Sequence, residues 1–301
     1  METQAPLYIY TFEQTASFNT DSTKGLIERM TGEKDLTNLI KSDENKVYFT
    51  SNTDLNTNLE HDLNTGNFTY NKGLGKYLNN YVPKLPSSKE AQKIVNDFLS
   101  AQKLTPRNQA EFKLLHEGGW RSTTTDGKNQ GVIVDKILKL TYGRVLDSLP
   151  VIGAGSKIIV KVGENGEILG MIRRWRELNL STKKQIEKAE IINQEAAESL
   201  AKQQIASEFG AQSTFTIKSV SKAYYDNNGN ILQPVYAFET VITLNDKNIP
   251  PINYLCVIPL LKNSPEPLNL TKIDGRAKEL IKNVQRGQKD SMDIIRKRSN
   301  E

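Results

Sequence analysis

Three stretches of the chain repeat apolar residues at the three- and four-residue spacing of an amphipathic helix. Asp21 is the predicted N-cap of the first, which stops at Gly32. Ser87, which has capping-box spacing to Glu90, begins the second, and Asn193 caps the third, which ends at Gly210. The apolar stripes are Leu26, Ile27 and Met30 in the first helix, Ala91, Ile94, Val95, Phe98 and Leu99 in the second, and Ala197, Leu200, Ala201, Ile205 and Phe209 in the third. The pattern predicts three helices that each bury one face.

Runs of alternating apolar and polar residues follow each predicted helix. Asparagine and glycine mark the corners between these runs at Asn64–Gly66, Asn165–Gly166 and Asn228–Gly229. Alternation indicates strands with one buried face, and Asn-Gly pairs favour tight hairpin turns. The sequence therefore predicts antiparallel hairpins after every helix.

The order of one helix followed by an antiparallel meander occurs three times. We therefore predict an α+β fold of tandem units, each with one amphipathic helix packed on its own antiparallel sheet. The prolines Pro83 and Pro86 and the polar stretch 182–190 indicate boundaries. The predicted units are residues 1–84, 85–181 and 182–262, followed by a polar, basic segment over 263–301.

The composition indicates a folded chain. Of its 301 residues, 37% are hydrophobic and 25% are charged, and the mean hydropathy is −0.53. The chain is polar, but its apolar strand runs exclude a wholly disordered protein. No apolar stretch approaches the ~20 residues of a membrane-spanning helix, so we expect no transmembrane segment. No basic, apolar leader opens the chain, and we expect an exported form to have lost it.

Positive charge is concentrated at the C-terminal end. The formal charge of the chain is +5, and nine basic and five acidic residues lie between Thr271 and Glu301. A basic end of this kind suits nucleic acid or an anionic membrane. No aromatic residues interleave its charges, so the stacking part of a nucleic-acid site is missing. We favour a solvated helix or tail and expect no nucleic-acid partner.

The segment Thr141–Leu178 carries a run of strand and turn motifs. They are the Tyr142-x-Arg144 strand, the Leu149-Pro150-Val151-x-Gly153 re-entry, the Val160-x-Val162-x-x-Asn165-Gly166-x-Ile168 hairpin and the Trp175-Arg176 ending. In these motifs the chain resembles the PepSY and fungalysin/thermolysin propeptide family. Members of that family are exported α+β modules, found in the pro-regions of secreted metallopeptidases, and cystatin-like packing of helix on sheet is one arrangement that the resemblance allows.

The resemblance implies a non-catalytic role and an extracytoplasmic location. It implies a protein partner, with a secreted peptidase that the chain inhibits or chaperones as one option. No peptidase domain follows the motifs, so the resemblance supports the fold more than an inhibitory activity. A sheet edge, whose backbone groups can accept a partner strand, is the physical opening for such contact.

Residues for catalysis are scarce. His61 and His116 lack the second histidine that a metallopeptidase helix places four residues away. Cys256 lies in an apolar run, where a buried, inert thiol is expected. We therefore predict no enzyme, no cofactor and no metal. His116 and Glu117 are secondary candidates for a metal or acid–base site, and a half-exposed strand position is the favoured alternative. The segment 226–230 resembles a calcium loop, but a hairpin turn explains it better.

Tryptophan and arginine are the residue types most enriched at the centres of protein interfaces. The candidate partner-binding residues are therefore Trp120, Arg173, Trp175 and Arg176. Each tryptophan instead completes a core, with arginine stems packed over it, if the surface is not used for binding. Two alternative functions stay open: a hydrolase with an unrecognised carboxylate or serine site, and a surface protein that binds a small ligand.

Overall fold

The computed structural model describes residues 6–13, 18–78, 80–123, 132–244 and 249–268. These residues contain three α-helices and fourteen strands. The helices are α1 (Thr20–Thr31), α2 (Ser88–Ala101) and α3 (Gln194–Phe209). The strands are β1 (Tyr8–Phe12), β2 (Ile40–Ser42), β3 (Lys46–Thr50), β4 (Asn58–Asp62), β5 (Phe68–Asn71), β6 (Phe112–Thr123), β7 (Ile133–Leu146), β8 (Leu149–Ile152), β9 (Lys157–Val162), β10 (Ile168–Arg174), β11 (Leu178–Gln185), β12 (Thr214–Tyr225), β13 (Ile231–Thr243) and β14 (Ile252–Pro259).

The three predicted helices form, and side-chain caps fix where they begin. Ser87 and Asn193 cap α2 and α3, as predicted. The N-cap of α1 is Asn19, and the predicted Asp21 lies in the first turn instead. The side-chain oxygen of Asn19 accepts a backbone N–H that the helix leaves free. Gly32 ends α1 with a φ of 79°, a conformation that glycine adopts without a steric penalty.

The prediction of tandem helix-on-sheet units was wrong. The described strands form a 14-stranded sheet, in which β11, β1, β13, β12, β8, β7, β9, β10, β5, β4, β3 and β2 are neighbours in that order, with β14 beside β13 and β6 beside β7. The sheet is mixed, because β8 and β12 run parallel whereas pairs such as β9 with β10 and β7 with β9 are antiparallel.

The pairing of β5 with β10 is what joins the first two predicted units. Phe68 lies opposite Arg173 and Asn71 opposite Gly170, so the strands that follow α1 continue directly into those that follow α2. Alternation along one strand shows which face is buried but not which strand lies beside it. The sequence pattern was therefore compatible with separate sheets.

Helices α1 and α2 pack on the same face of this sheet and share one core. Its buried residues come from both helices and from six strands. They include Leu26, Ile27 and Met30 of α1, Ala91, Val95 and Leu99 of α2, and Phe49, Leu59, Phe68, Tyr70, Leu140, Tyr142, Ile158, Val160, Val162 and Met171 of the sheet. Burial of this much apolar surface is the main stabilising contribution to the fold.

The chain contains two compact units. The first comprises the described residues up to Ile192 together with Lys222–Tyr236 and Pro259–Glu266. The second includes Asn193–Ser221 and Ala237–Ile258. The domain limits predicted from the sequence stay a prediction. The basic segment between Thr271 and Glu301, and the interpretations attached to it, lie outside the described residues.

Helix α3 of the second unit buries part of its predicted stripe. Ala197, Ala201 and Ile205 of its predicted stripe are buried, whereas Leu200 is 43% exposed. Cys256 of the same unit is also buried, and burial, with the nearby Glu208 carboxylate, raises the pKa of its thiol to about 12. The thiol is therefore protonated and unreactive at neutral pH, as the apolar sequence context indicated.

Candidate functional site

Trp175, a predicted partner-binding residue, lies in the core. Only 2% of its surface is exposed. The Arg144 guanidinium lies 4.3 Å from the centre of the indole ring, and the Phe112 ring meets it edge-on at 5.6 Å. The tryptophan and the arginine that carry the family resemblance therefore pack against each other inside the protein.

The predicted arginines also turn inward. The Arg173 guanidinium is half-buried and donates to the carbonyl of Trp175 at 2.9 Å. The Arg176 guanidinium lies 3.6 Å from the centre of the Phe12 ring and forms an ion pair of 3.2 Å with Asp226. Burial lowers the pKa of both guanidinium groups. These side chains have partners within the chain itself.

A buried chain of charged and polar groups runs through the first unit. Arg144, which has no exposed surface, lies 3.0 Å from the Glu111 carboxylate through Nε. It donates to Ser156 Oγ at 3.0 Å, and Ser156 donates to Asp226 at 2.7 Å. The Arg176 ion pair completes the set at the other carboxylate oxygen of Asp226. Buried charges need partners of this kind, because an unpaired one is strongly destabilising.

Burial shifts the pKa values of Glu111 and Arg144 in opposite directions. Removal from water raises the pKa of the Glu111 carboxyl, and the charge of Arg144 opposes that rise. The same removal lowers the pKa of Arg144, and the carboxylates of Glu111 and Asp226 oppose it. Desolvation is the largest cause in both cases, as expected for charged groups placed inside a protein.

A glycine bend wraps around Asp226. A Cβ on Gly153 would lie 2.1 Å from the Asp226 carbonyl oxygen, and one on Gly155 would lie 2.3 Å from its carboxyl carbon. The Asp226 side chain also accepts the Asn228 N–H at 3.1 Å, which closes the hairpin turn that was preferred over a calcium loop. Sequence reasoning identified both turns but missed that they meet, because 70 residues separate Ser156 from Asp226.

Strand β6 lies at an open edge of the sheet. Its one strand neighbour in the described part of the chain is β7, in a register that places Phe112 opposite Arg144. The register shifts twice, so that Leu115 is an extra residue on β6 and Lys136 an extra residue on β7. Between these two bulges residues 116–120 pair regularly.

The register shows which backbone groups of β6 face outward. The Val145 N–H donates to the Glu111 carbonyl at 2.9 Å, so the backbone N–H and C=O groups of Val145 point toward β6. The direction of these backbone groups alternates along an antiparallel strand, so those of Thr141 also point toward β6. The backbone groups of His116, which lies opposite Thr141, therefore point toward β7. The residues of β6 whose backbone N–H and C=O groups point away from β7 are therefore Glu117, Gly119 and Arg121.

Trp120 differs from Trp175, because it lies on this edge strand and is half-buried. Its indole packs against a small cluster formed by Tyr77, Ile137 and Leu169. The remaining indole surface faces solvent next to the open backbone of β6. Of the four predicted partner-binding residues, Trp120 is the one whose position leaves side-chain surface beside a free strand edge.

His116 and Glu117, the secondary candidates, are both exposed on β6. The Glu117 carboxylate accepts a hydrogen bond from Ser88 Oγ at the start of α2, and the His116 imidazole lies over Gly118. His61 is buried, bonded to Thr23 at 2.7 Å, and burial lowers its pKa. The described residues contain no group of three or more His, Cys, Asp or Glu side chains placed to hold a metal ion.

The two α-helices described in the first unit, α1 and α2, pack on one face of the sheet, and neither packs on the opposite face. Ile158 and Val160 are buried against α2, so Ile159 and Lys161 of the same strand point to the other side. We call this side of the sheet the helix-free face. The register aligns one residue from each of five strands in a single row on it. The row consists of His116, Thr141, Ile159, Ile172 and Thr69.

A cleft of about 550 Å³ in the first unit is lined by several carboxylates. Each of these carboxylates binds Arg107 or Asn108 nearby. Glu13 pairs with Arg107, Glu177 accepts the Arg107 N–H at 3.3 Å, and Glu111 is bonded to Asn108 at 2.7 Å. The three carboxylates that line the cleft are therefore bonded within the chain.

Among the described helices, none is long and apolar enough to cross a membrane.

Solved structures that are similar to this chain include two proteins. An uncharacterised protein from Eubacterium rectale matches 88% of this chain and 86% of its own, at 9% identity and a TM-score of 0.44. The C-terminal domain of YpeB from Bacillus megaterium matches 82% of this chain and 94% of its own, at 12% identity and a TM-score of 0.38. No family model matches the chain, and no curated protein matches it. The resemblance to the PepSY family stays a prediction.

Proposed function

We propose that this chain is a non-catalytic binding module that takes up an extended segment of a protein partner beside β6. The observation that carries the proposal is the open edge of β6, which has β7 on one side and no strand on the other among the described residues. An edge of this kind offers a row of N–H and C=O groups, and a partner strand gains affinity by pairing with them.

The sequence of β6 keeps that edge accessible. Gly118 and Gly119 have no side chains to cover the peptide groups on either side of them. Gly119 is required by the sheet itself, because a Cβ there would lie 2.2 Å from the Ile137 carbonyl oxygen. The bulge at Leu115 and the charged side chains of β6 are the usual devices that stop an open edge from aggregating. The accessible stretch is therefore short.

Trp120 supplies the anchor for a specific partner. Its ring is fixed by the Tyr77, Ile137 and Leu169 cluster, so little side-chain entropy is lost when a partner covers it. Partly buried tryptophans of this kind are frequent hot spots of binding energy. Backbone pairing gives affinity for any extended segment, and Trp120 favours those with an apolar residue at the matching position.

The resemblance to exported propeptide modules supports a more specific form of the proposal. In that form the chain works outside the cytoplasm, and its partner is an exported protein, a secreted peptidase being the first to test. Inhibition would follow if the segment taken up beside β6 belonged to the peptidase's substrate-binding cleft. A chaperone role would follow if that segment were exposed only before the peptidase folds.

A display library of random 12-residue peptides tests the binding edge. Peptides selected on the full chain are measured against two variants of one residue. Glu117→Pro removes an N–H that points outward, and costs no hydrogen bond to β7. Glu117→Ala removes the same carboxylate but keeps the N–H, and is the matched control. We expect Glu117→Pro to weaken binding about tenfold or more, from the lost hydrogen bond and the ring's bulk, with little change in Glu117→Ala.

Either of two results would contradict the proposal. One is that no peptide is selected on a chain shown to be folded by its circular dichroism. The other is that the selected peptides bind Glu117→Pro as tightly as the parent chain. Loss of binding in both variants would assign the effect to the Glu117 carboxylate and not to the strand edge.

A further inference from the structure

The helix-free face places cations opposite each other on neighbouring strands. Lys139 lies directly opposite Lys161 in the β7–β9 register. Lys157 lies directly opposite Arg174 in the β9–β10 register. These two pairs border the row that contains Ile159, one on each side of it. Like charges placed opposite each other on neighbouring strands are destabilising, so the face holds an arrangement that an outside anion would relieve.

No carboxylate forms an ion pair with these four cations in the described part of the chain. Lys161 donates to the amide oxygen of Asn71 at 3.2 Å, and Lys157 donates to the carbonyl of Gly153. Lys139 and Arg174 are exposed. Glu60, which extends the row beyond Thr69, is already held by Lys46 at 2.6 Å. The Asp226 charge acts on Lys157, and Glu60 and Asp62 line a pocket with Arg174 and Lys46, but the five cations outnumber these three carboxylates.

Four of the five residues in the row between the cations carry methyl groups, and His116 is the one ring among them. Thr141, Ile159, Ile172 and Thr69 are half-buried, so they offer methyl groups to an occupant. Single-stranded nucleic acid needs aromatic side chains on which its bases stack, and these positions supply none. An extended or helical polypeptide with apolar and acidic residues matches both the methyl groups and the cations.

The chain's own C-terminal segment does not fit this face. Between Thr271 and Glu301 it carries nine basic and five acidic residues, so its charge has the same sign as the face. A second copy that presented the same face would repeat the same four cations. Charge complementarity therefore favours a different protein over both.

We infer that the partner that pairs with β6 also covers the helix-free face, with acidic residues over Lys139, Lys161, Lys157 and Arg174. The inference rests on the proposed function and adds the chemistry of the partner to it. His116 and Gly118 of β6 connect the two surfaces, because His116 belongs to the row and Gly118 lies opposite Lys139. An acidic segment that continues past the β6 edge meets the cations next.

The same peptide library tests the inference through two double variants. Lys139→Gln/Lys161→Gln removes two charges from the face. Lys89→Gln/Lys93→Gln removes two exposed charges from α2, on the other side of the sheet, and is the matched control. We expect the selected peptides to be enriched in Asp and Glu. We expect the face variant to weaken them about tenfold, the sum of two modest ion pairs, and the control to leave binding unchanged. Added salt should weaken binding to the parent more than to the face variant.

The outcomes separate this inference from the function on which it rests. Peptides that depend on the β6 edge but are not acidic, or that bind both double variants equally, overturn the inference and leave the binding edge intact. Failure to select any peptide overturns both. A labelled oligo(dT) strand and phosphatidylserine vesicles are measured in parallel. Tight binding of either one, lost in the face variant while acidic peptides do not bind, would show that the face takes a polyanion and not a protein.

Discussion

Asp226 holds together three parts of the chain that are far apart in sequence. Its carboxylate bonds to Ser156 and Arg176, and its backbone carbonyl accepts the Gly155 N–H at 2.9 Å. Gly155 is therefore a glycine because Asp226 fills the space where a side chain would be. This is a steric requirement and not one of backbone conformation.

The role of Gly155 gives a prediction with a close control. Gly155→Ala places a methyl group against the Asp226 carboxylate, and we expect it to lower the free energy of unfolding by about 1–3 kcal/mol. Gly75→Ala is the control, because a Cβ there has nothing within 4 Å. Urea unfolding followed by fluorescence measures both. Equal midpoints for the two variants would mean that the bend does not enclose Asp226.

The raised pKa of Glu111 predicts a pH dependence of stability. A carboxyl whose pKa is higher in the folded state than its ordinary value of 4.5 binds its proton more tightly when folded. Its contribution to stability is therefore fully present below pH 4.5 and is lost as the pH rises through the raised pKa. Glu111→Gln cannot titrate, so the difference in unfolding free energy between parent and variant should shift against the parent as the pH increases. A difference that is flat, or that shifts in the parent's favour, would contradict the burial of Glu111.

At the scale of single elements, local sequence determined most of what the structure shows. The helix stripes, apart from the exposed Leu200, and two of the three N-caps were predicted correctly because caps and periodicity act within one turn of helix. The start of α1 was misplaced because Asn19 and Asp21 are both good capping residues, and the choice depends on which one has an extended backbone. The hairpins at Gly66 and Gly166 were predictable for the same local reason, and both glycines have positive φ.

The capping box of α2 can be tested without changing the core. Ser87 Oγ accepts the Glu90 N–H, and the Glu90 carboxylate accepts the Ser87 N–H at 2.8 Å. Ser87→Ala should lower the unfolding free energy by about 0.5–2 kcal/mol, whereas Ser87→Gly should cost only a few tenths, because glycine is itself tolerated at an N-cap. Thermal unfolding compares the two. A larger loss for glycine than for alanine would show that the cap does not control the start of α2.

At the scale of the whole molecule, the arrangement of strands could not be predicted from the sequence. The prediction of separate sheets failed at the pairing of β5 with β10, and the buried network was missed for the same reason. Both depend on contacts between residues about 70 to 100 positions apart. Of the candidate site, the sequence singled out Trp120, but it did not show that β6 is an edge strand or that Trp175 and Arg144 are buried.

The shared core of α1 and α2 predicts cooperative unfolding. Leu26→Ala in α1 and Leu99→Ala in α2 each remove a buried side chain from one core. Each should lower the unfolding free energy of the same transition by about 2–5 kcal/mol. Urea unfolding, followed by tryptophan fluorescence and by circular dichroism, should show both variants shifting one transition that includes Trp175. Two separate transitions, each shifted by one variant only, would support independent units after all.

Residue-resolved amide hydrogen exchange of β6 in the free chain tests the open edge most directly. Gly118 and Trp120 direct their N–H groups at β7, whereas Glu117, Gly119 and Arg121 direct theirs away from it. We predict slow exchange at the first two positions and fast exchange at the other three, in an alternating pattern along one strand. Uniformly slow exchange from Glu117 to Arg121 would show that another part of the protein already covers this edge, and β6 would then have no room for a partner.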